Sequence, residues 1–203
     1  MRQLALGISP TPAPTLGNFV PGANAEILVR LNALANGELQ ETIVYLWGEP
    51  GSGRSHLLEA TSREATRLLV VADDVETLDD AQQAELFRRI NAARDSGGGV
   101  LAAGIAPPAQ LPLRDDLRSR LGWGLVYHVK PLTDADRALY LRAQADRRGM
   151  RLTDEVVGYL LTHERRDLSS LCAIIEQLDR VSLERQRAVT LPLLREALKA
   201  LAP

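Results

Sequence analysis

The stretch Gly48-Glu49-Pro50-Gly51-Ser52-Gly53-Arg54-Ser55 decides the fold of this chain. It fits the pattern G-x-x-x-x-G-[basic]-[ST], and it lies between an apolar run, 42–47, that predicts a buried strand and a segment that predicts a helix through about Ala65. Such glycines let backbone N–H groups converge on phosphate oxygens, and the helix start adds the positive end of its dipole. The stretch predicts a phosphate-binding loop; the alternative is a plain glycine-rich turn.

Within the loop, Ser55 is expected to ligate Mg²⁺ and Arg54 to neutralise phosphate. The standard loop has Lys where this chain has Arg54. A guanidinium is bulkier and forked, whereas an ammonium is a compact point charge. The substitution therefore weakens the expected fit around a γ-phosphate, although binding of phosphate itself is still predicted.

Two adjacent carboxylates, Asp73 and Asp74, follow a second apolar run at 68–72. Parallel sheets bind ligands beside the carboxyl ends of their strands. Asp73 is predicted to hold Mg²⁺ through water, and Asp74 to lie near an attacking water as a weak base. A crossover needs only about a dozen residues, so direct adjacency to Arg54 is feasible. The alternative is that the pair merely caps a loop.

Strand-like and helical segments alternate along the first part of the chain, at 42–47, 68–72, 100–103 and 125–129 and at 25–36, 54–65, 79–94 and 114–120. This alternation predicts an α/β fold with a parallel sheet covered on both faces. After Pro131 the pattern is helical throughout. We expect an extended, proline-containing arm at 1–16, an α/β base at 17–132 and an all-helical unit at 133–203.

Composition and charge are those of an ordinary globular chain. The 203 residues include 24 basic and 26 acidic side chains, a net charge of −2, which argues against a dedicated nucleic-acid coat. The single cysteine, Cys172, excludes an intrachain disulfide and suits a reducing cytoplasm. There is no apolar run of about 18 residues, so neither a membrane span nor a secretory signal is expected.

Several segments spread over nearly the whole chain resemble the DnaA-related AAA+ family, most of all its short Hda-type regulators: 18–24, 45–48, 53–58, 107–108, 119–124 and 176–180. Arg54 followed by Ser-His-Leu-Leu is more like the Hda type than like DnaA. The resemblance implies a P-loop AAA+ base with a parallel sheet and a small helical lid domain.

The resemblance also implies roles for individual residues. Arg120 matches the family's arginine finger, which acts on a neighbouring subunit's nucleotide; the alternative is a surface salt-bridge residue. Arg166 matches a lid arginine that contacts the chain's own nucleotide, with Arg165 as a competitor one position away. Together with the loop and the family's adenine-lining segment, the expected nucleotide-binding residues are Asn18, Phe19, Val20, Gly48, Pro50, Gly51, Ser52, Gly53, Arg54, Ser55, His56 and Arg166.

The amino-terminal peptide with Gln3, Leu4, Leu6 and Ile8 resembles the family's motif for docking on the DNA sliding clamp; the alternative is a frayed terminus. The implied function is negative regulation of replication initiation. An ADP-bound (or ATP-bound) chain with Mg²⁺ docks on the clamp's β subunit and promotes hydrolysis of DnaA-bound ATP. DNA is contacted only indirectly, and a homo-oligomer is possible. The alternatives are an autonomous ATPase or loader, and a non-hydrolysing clamp-bound adaptor.

Two departures from the family pattern bear on these expectations. Ile105 stands where the family has a polar sensor residue, which predicts weak or no hydrolysis by the chain itself. The family also has a further strand and helix between the loop and Asp73, for which this sequence has no room. Either the element is lost, or a stretch near 65–67 is missing; the second interpretation is favoured, because loss would leave an open sheet edge.

Overall fold

The computed structural model describes residues 13–163 and 167–201. The chain divides into two compact units, with the boundary between Pro131 and Leu132. Leu16, the last residue of the predicted arm, is buried in the core of the first unit, and its backbone N–H donates to Glu64 Oε1 at 2.8 Å. Residues 13–16 of the predicted arm therefore belong to the first unit.

The first unit is a parallel four-stranded sheet with helices on both faces, which confirms the predicted fold class. The strands are β1 (Ile43–Trp47), β2 (Leu69–Ala72), β3 (Gly99–Gly104) and β4 (Leu125–His128), in the spatial order β2-β3-β1-β4. The helices are α1 (Ala25–Asn36), α2 (Arg54–Glu64), α3 (Asp80–Asp95) and α4 (Asp115–Gly122). Because β1 is central and all pairs are parallel, the loop after β1 lies at the carboxyl edge of the sheet.

The side chains of β1 alternate between two hydrophobic cores, one on each face of the sheet. Val44 and Leu46 face the core that contains side chains of α1 and α2, whereas Ile43 and Tyr45 face the core that contains side chains of α3 and α4. Successive strand residues point to opposite faces, so a strand buried on both sides needs apolar residues at every position. That requirement explains the unbroken apolar run that predicted β1.

One edge of the sheet is open. Residues 65–68 join α2 directly to β2, and within the described part of the chain only β3 pairs with β2. Leu68, at the start of this edge, is 61% exposed. The sheet therefore has the open edge that loss of the family's further strand would leave, and a groove of about 470 Å³ runs beside it between β2 and α3.

The second unit consists of α5 (Asp134–Arg147), α6 (Asp154–His163), α7 (Leu168–Arg185) and α8 (Leu191–Leu201). Thr133 caps α5 by accepting the N–H of Asp136, and Asp167 caps α7 by accepting the N–H of Ser170. Leucines from all four helices form its core: Leu141, Leu160, Leu171, Leu178 and Leu194. Within the described ranges, none of the helices is long and apolar enough to cross a membrane.

Candidate functional site

The loop between β1 and α2 has the backbone of a phosphate cradle. Gly51 and Gly53 have φ values of 81° and 99°, which side chains disfavour. At Gly48 a Cβ would lie 2.5 Å from the Val129 carbonyl oxygen, so close packing also requires glycine there. The loop therefore brings backbone N–H groups and the start of α2 to the carboxyl edge of the sheet, as a phosphate site needs.

Arg54, the basic residue of the loop, turns inward. Its side chain is only 9% exposed, and its Nη2 donates to Asp74 Oδ1 at 3.3 Å. Its Nη1 is buried and has no hydrogen-bond partner in the structure. The feasible adjacency of the loop and the second strand's carboxylates is thus realised through Asp74.

Asp73 and Asp74 follow β2 in an unusual backbone turn. Asp74 has a φ of 44°, and its N–H donates to Asp73 Oδ1 at 2.9 Å. Burial and the neighbouring Asp73 charge raise the pKa of Asp74 above its ordinary value, against the lowering effect of Arg54. The surroundings therefore stabilise the charge of Asp74 less than water does, even with a guanidinium beside it.

Two residues that the sequence patterns missed lie beneath the loop. The hydroxyl of Tyr45 donates to the Ala106 carbonyl at 3.0 Å, and burial together with the Glu76 charge raises the pKa of Tyr45. Glu76 Oε2 is buried without a hydrogen-bond partner, and a Cβ at Gly104 would clash with both side chains. The sequence held two signals for these residues: Tyr45 is a single phenol within an apolar strand, and Glu76 is a third acidic residue just after Asp74.

The predicted adenine-lining segment packs beside the loop. A Cβ at Gly53 would lie 2.7 Å from Phe19 Cε2, so the Phe19 ring lies against the loop. The rings of Phe19 and His56 are 5.5 Å apart, and His56 Nε2 lies 3.0 Å from the Thr15 carbonyl oxygen. Asn18 closes a short turn by bonding Ala13 and Thr15, and Val20 is half-buried. His56 is thus placed to tie this segment to α2.

The residues present fit a phosphate ligand. Ser52 Oγ and Arg54 Nη1 are buried polar atoms without partners, in a loop whose Gly51 opens onto free space. Ser55 is exposed and Asp73 half-buried, and a hydroxyl with a carboxylate suits Mg²⁺ when phosphates supply further oxygens. Within the described residues there is no group of three or more His, Cys, Asp or Glu side chains that could hold a metal without such help.

Arg120 lies near the end of α4 and is held by aromatic rings. Its guanidinium carbon is 4.6 Å from the Trp123 ring centroid and 5.6 Å from that of Phe87, and Trp123 is 70% exposed. Its neighbour on the same helix, Arg118, is instead ion-paired with Asp115. Within the described ranges Arg120 forms no salt bridge, so its charge is not neutralised by a carboxylate.

Other predicted site residues are placed differently or lie outside the description. Ile105, just beyond β3, is 47% exposed at the carboxyl edge and offers no polar group there. Gln3, Leu4, Leu6 and Ile8, like Arg166 and its competitor Arg165, lie outside the described residues.

Comparisons with known proteins agree with this architecture. Residues 134–198 match the family model described as "Hda, lid domain". The chain is 21% identical to domain III of the Thermotoga maritima replication initiation protein DnaA, with a TM-score of 0.75 over 94% of this chain and 97% of that one.

Two further solved structures share the fold. One is the replication initiator DnaA bound to AMPPCP and single-stranded DNA, 24% identical, with a TM-score of 0.71 over 87% of this chain and 68% of that one. The other is the Thermotoga maritima RuvB Holliday junction branch migration motor, 15% identical, with a TM-score of 0.66 over 93% and 72%. These matches confirm the expected fold, a parallel-sheet α/β base followed by a small helical unit.

Proposed function

We propose that this chain is a DnaA-related AAA+ protein of the Hda type and a negative regulator of chromosomal replication initiation. It acts by promoting the hydrolysis of ATP bound to DnaA. The observation that carries this proposal is the match of residues 134–198 to the Hda lid domain. The DnaA-like fold of the base and the placement of Arg120 support it.

The chain's own site is proposed to hold ADP with Mg²⁺ rather than to turn ATP over. Loop N–H groups, Ser52 and Arg54 would bind the phosphates, Ser55 and Asp73 would hold the metal, and Phe19 would border the base. Two observations support weak hydrolysis. Arg54 is paired with Asp74, and Ile105 offers no polar group at the position beyond β3. The bound nucleotide would then act as a structural ligand of the base.

Arg120 is proposed to supply the catalytic charge in trans. An arginine finger stabilises negative charge on a phosphoryl group that is being transferred. Arg120 suits this role because it is a cation without a carboxylate partner in the described residues, and the Phe87 and Trp123 rings limit its rotamers without neutralising it. Asp74, by contrast, is engaged with Arg54 in the chain's own site.

Clamp docking is proposed for the amino-terminal peptide. Gln3 would hydrogen-bond at the rim of a groove while Leu4, Leu6 and Ile8 fill apolar pockets. Contact with DNA would then be indirect, through the DNA-loaded clamp, in keeping with the net charge of −2. This arrangement would raise the local concentration of Arg120 near DnaA.

The decisive experiment is single-turnover hydrolysis of ATP prebound to DnaA, with the clamp loaded on DNA, with and without this protein. Wild type is expected to accelerate hydrolysis, and Arg120→Ala to reduce the acceleration at least about a hundredfold, since an arginine finger contributes about 10³ or more. Arg118→Ala is the matched control, because it removes an arginine two residues away that is ion-paired with Asp115. Retention of acceleration by Arg120→Ala, or equal loss in both variants, would contradict the assigned role.

Clamp binding is measured separately with the same proteins. Gln3→Ala and Leu6→Ala are expected to lose clamp binding and acceleration together, whereas Arg120→Ala keeps clamp binding. A wild-type chain that binds clamp and nucleotide but never accelerates hydrolysis would be an adaptor for another partner.

A further inference from the structure

We propose that Asp74 makes this site selective for a nucleoside diphosphate, because it competes with a third phosphate for Arg54. The inference rests on the proposed nucleotide site and adds a specificity-determining residue to it. It assigns Asp74 a role that differs from the general base predicted from the sequence pattern.

Arg54 is the cation for which Asp74 and a third phosphate would compete. Its guanidinium is buried, and its defined hydrogen bond runs to Asp74 Oδ1 at 3.3 Å. Its charge also acts on Tyr45, which lies below the loop in β1. Arg54 therefore faces the carboxyl ends of the strands, and its free Nη1 is the part left to reach a ligand. A ligand that needs the whole guanidinium fork must displace Asp74.

The backbone of Asp74 is held on both sides. The Asp74 carbonyl accepts hydrogen bonds from the Thr77 hydroxyl at 2.8 Å and the Thr77 N–H at 2.9 Å. Its own N–H is held by Asp73. Since both sides of this left-handed residue are tied, its carboxylate cannot leave Arg54 by a simple swing of the backbone.

The Arg54–Asp74 pair lies in an acidic part of the site: Asp74 is in contact with Arg54, Asp73 is the next residue in the chain, and the charge of Glu76 also acts on Asp74. A third phosphate would add negative charge next to this group, and like charges at close range repel. A diphosphate needs only Arg54 Nη1, Ser52 and the loop N–H groups, so it can bind while Arg54 Nη2 stays paired with Asp74.

The test is calorimetric titration of the full chain with ADP and with AMPPCP, each with and without Mg²⁺. Asp74→Asn removes the charge but suits the same backbone, because asparagine tolerates positive φ. Glu49→Gln is the matched control, an exposed loop residue whose loss changes net charge equally. Thermal unfolding of each variant confirms that it is folded.

Wild type is expected to favour ADP, and Asp74→Asn to shift the ADP-to-AMPPCP affinity ratio about tenfold toward AMPPCP, which corresponds to about 1.4 kcal/mol. Glu49→Gln should leave the ratio within about twofold. An unchanged ratio in Asp74→Asn, with ADP still bound, would overturn the inference and leave the proposed function standing. If wild type did not bind ADP, both the inference and the proposed function would be overturned. If Asp74→Asn shifted the affinity ratio but wild type failed to stimulate DnaA, only the proposed function would be overturned.

Discussion

Two arginines of the base, Arg54 and Arg120, show how surroundings decide what one kind of side chain can do. Arg54 is buried at the start of α2 and paired with a carboxylate, whereas Arg120 lies near the end of α4 between the rings of Phe87 and Trp123. A carboxylate partner neutralises a guanidinium, and an aromatic ring does not. The first arginine is therefore committed within its own chain, while the second remains available to a partner's anion.

The largest expected effect is a difference in ADP affinity between two variants, in which Arg54 and Arg120 are each replaced by alanine. Arg54→Ala should weaken ADP binding by about a hundredfold, because it deletes the cation of the phosphate loop. Arg120→Ala should leave ADP affinity within about twofold, since Arg120 interacts with rings on α3 and α4 rather than with the loop. Calorimetric titration of both variants checks this contrast.

Equal loss of ADP affinity in Arg54→Ala and Arg120→Ala would contradict the contrast between the two arginines. That result would mean that Arg120 acts on the nucleotide of its own chain. Arg118→Ala serves as the control for any general effect of removing a positive charge from α4.

A second contrast uses the glycines beside the two arginines. Gly53→Ala should destabilise the base by about 2 kcal/mol or more, because it combines a φ of 99° with a contact of 2.7 Å to Phe19 Cε2. Gly122→Ala adds a Cβ with nothing within 4 Å and should be neutral or stabilising by up to about 1 kcal/mol. Urea unfolding of both variants measures the difference, and equal effects would show that the loop is less constrained than its contacts imply.

Much of the fold could be predicted from the sequence because the signals were local. The run before Gly48 predicted β1, and the loop pattern fixed the strand-to-helix turn. The helix starts at Thr133 and Asp167 are local in the same sense, since a cap needs only the next turn of backbone. These features depend on neighbours three or four residues away, which a single sequence displays.

The features that were missed depend on contacts across the fold. Nothing in the loop pattern shows that Arg54 turns toward Asp74, which lies beyond a complete helix and strand. The packing of Glu76 beside Tyr45 requires knowing that β3 brings Gly104 between β1 and the turn after β2. The ring contacts of Arg120 likewise join α3 to α4. Side-chain direction at a sheet edge is set by strand order, which a loop motif does not specify.

A smaller effect is expected at the rings around Arg120. Trp123→Ala should change the free energy of unfolding by less than about 0.5 kcal/mol, because the ring is mostly exposed. It should reduce stimulation of DnaA ATP hydrolysis a few-fold, since Arg120 loses a cation–π contact of about 0.5–1 kcal/mol that orders it. Trp123→Phe keeps a ring and should restore most of the stimulation. Full activity in Trp123→Ala would show that the rings play no part in positioning Arg120.

The smallest expected effect is a pH dependence of stability at Asp74. Its pKa is raised in the folded chain, so folding favours its protonated form, and this contribution is lost as the pH rises through the folded pKa. The asparagine side chain of the Asp74→Asn variant cannot ionise. The variant's stability relative to wild type should therefore rise between about pH 4 and pH 7, by under about 1 kcal/mol because the side chain is half exposed.

Asp116 provides a control of opposite sign for that measurement. Its hydrogen bond from Arg114 lowers its pKa, so its ionised form supports folding, and this support is lost as the pH falls through the folded pKa. Asp116→Asn should accordingly lose stability relative to wild type as the pH rises toward about 4, the ordinary pKa of an aspartate, which is a lower pH range than that of the change at Asp74. Urea unfolding midpoints at each pH measure both trends. Parallel trends in the two variants would show that Arg54 stabilises the Asp74 charge as Arg114 does for Asp116, and the pair at the loop would then be an ordinary ion pair.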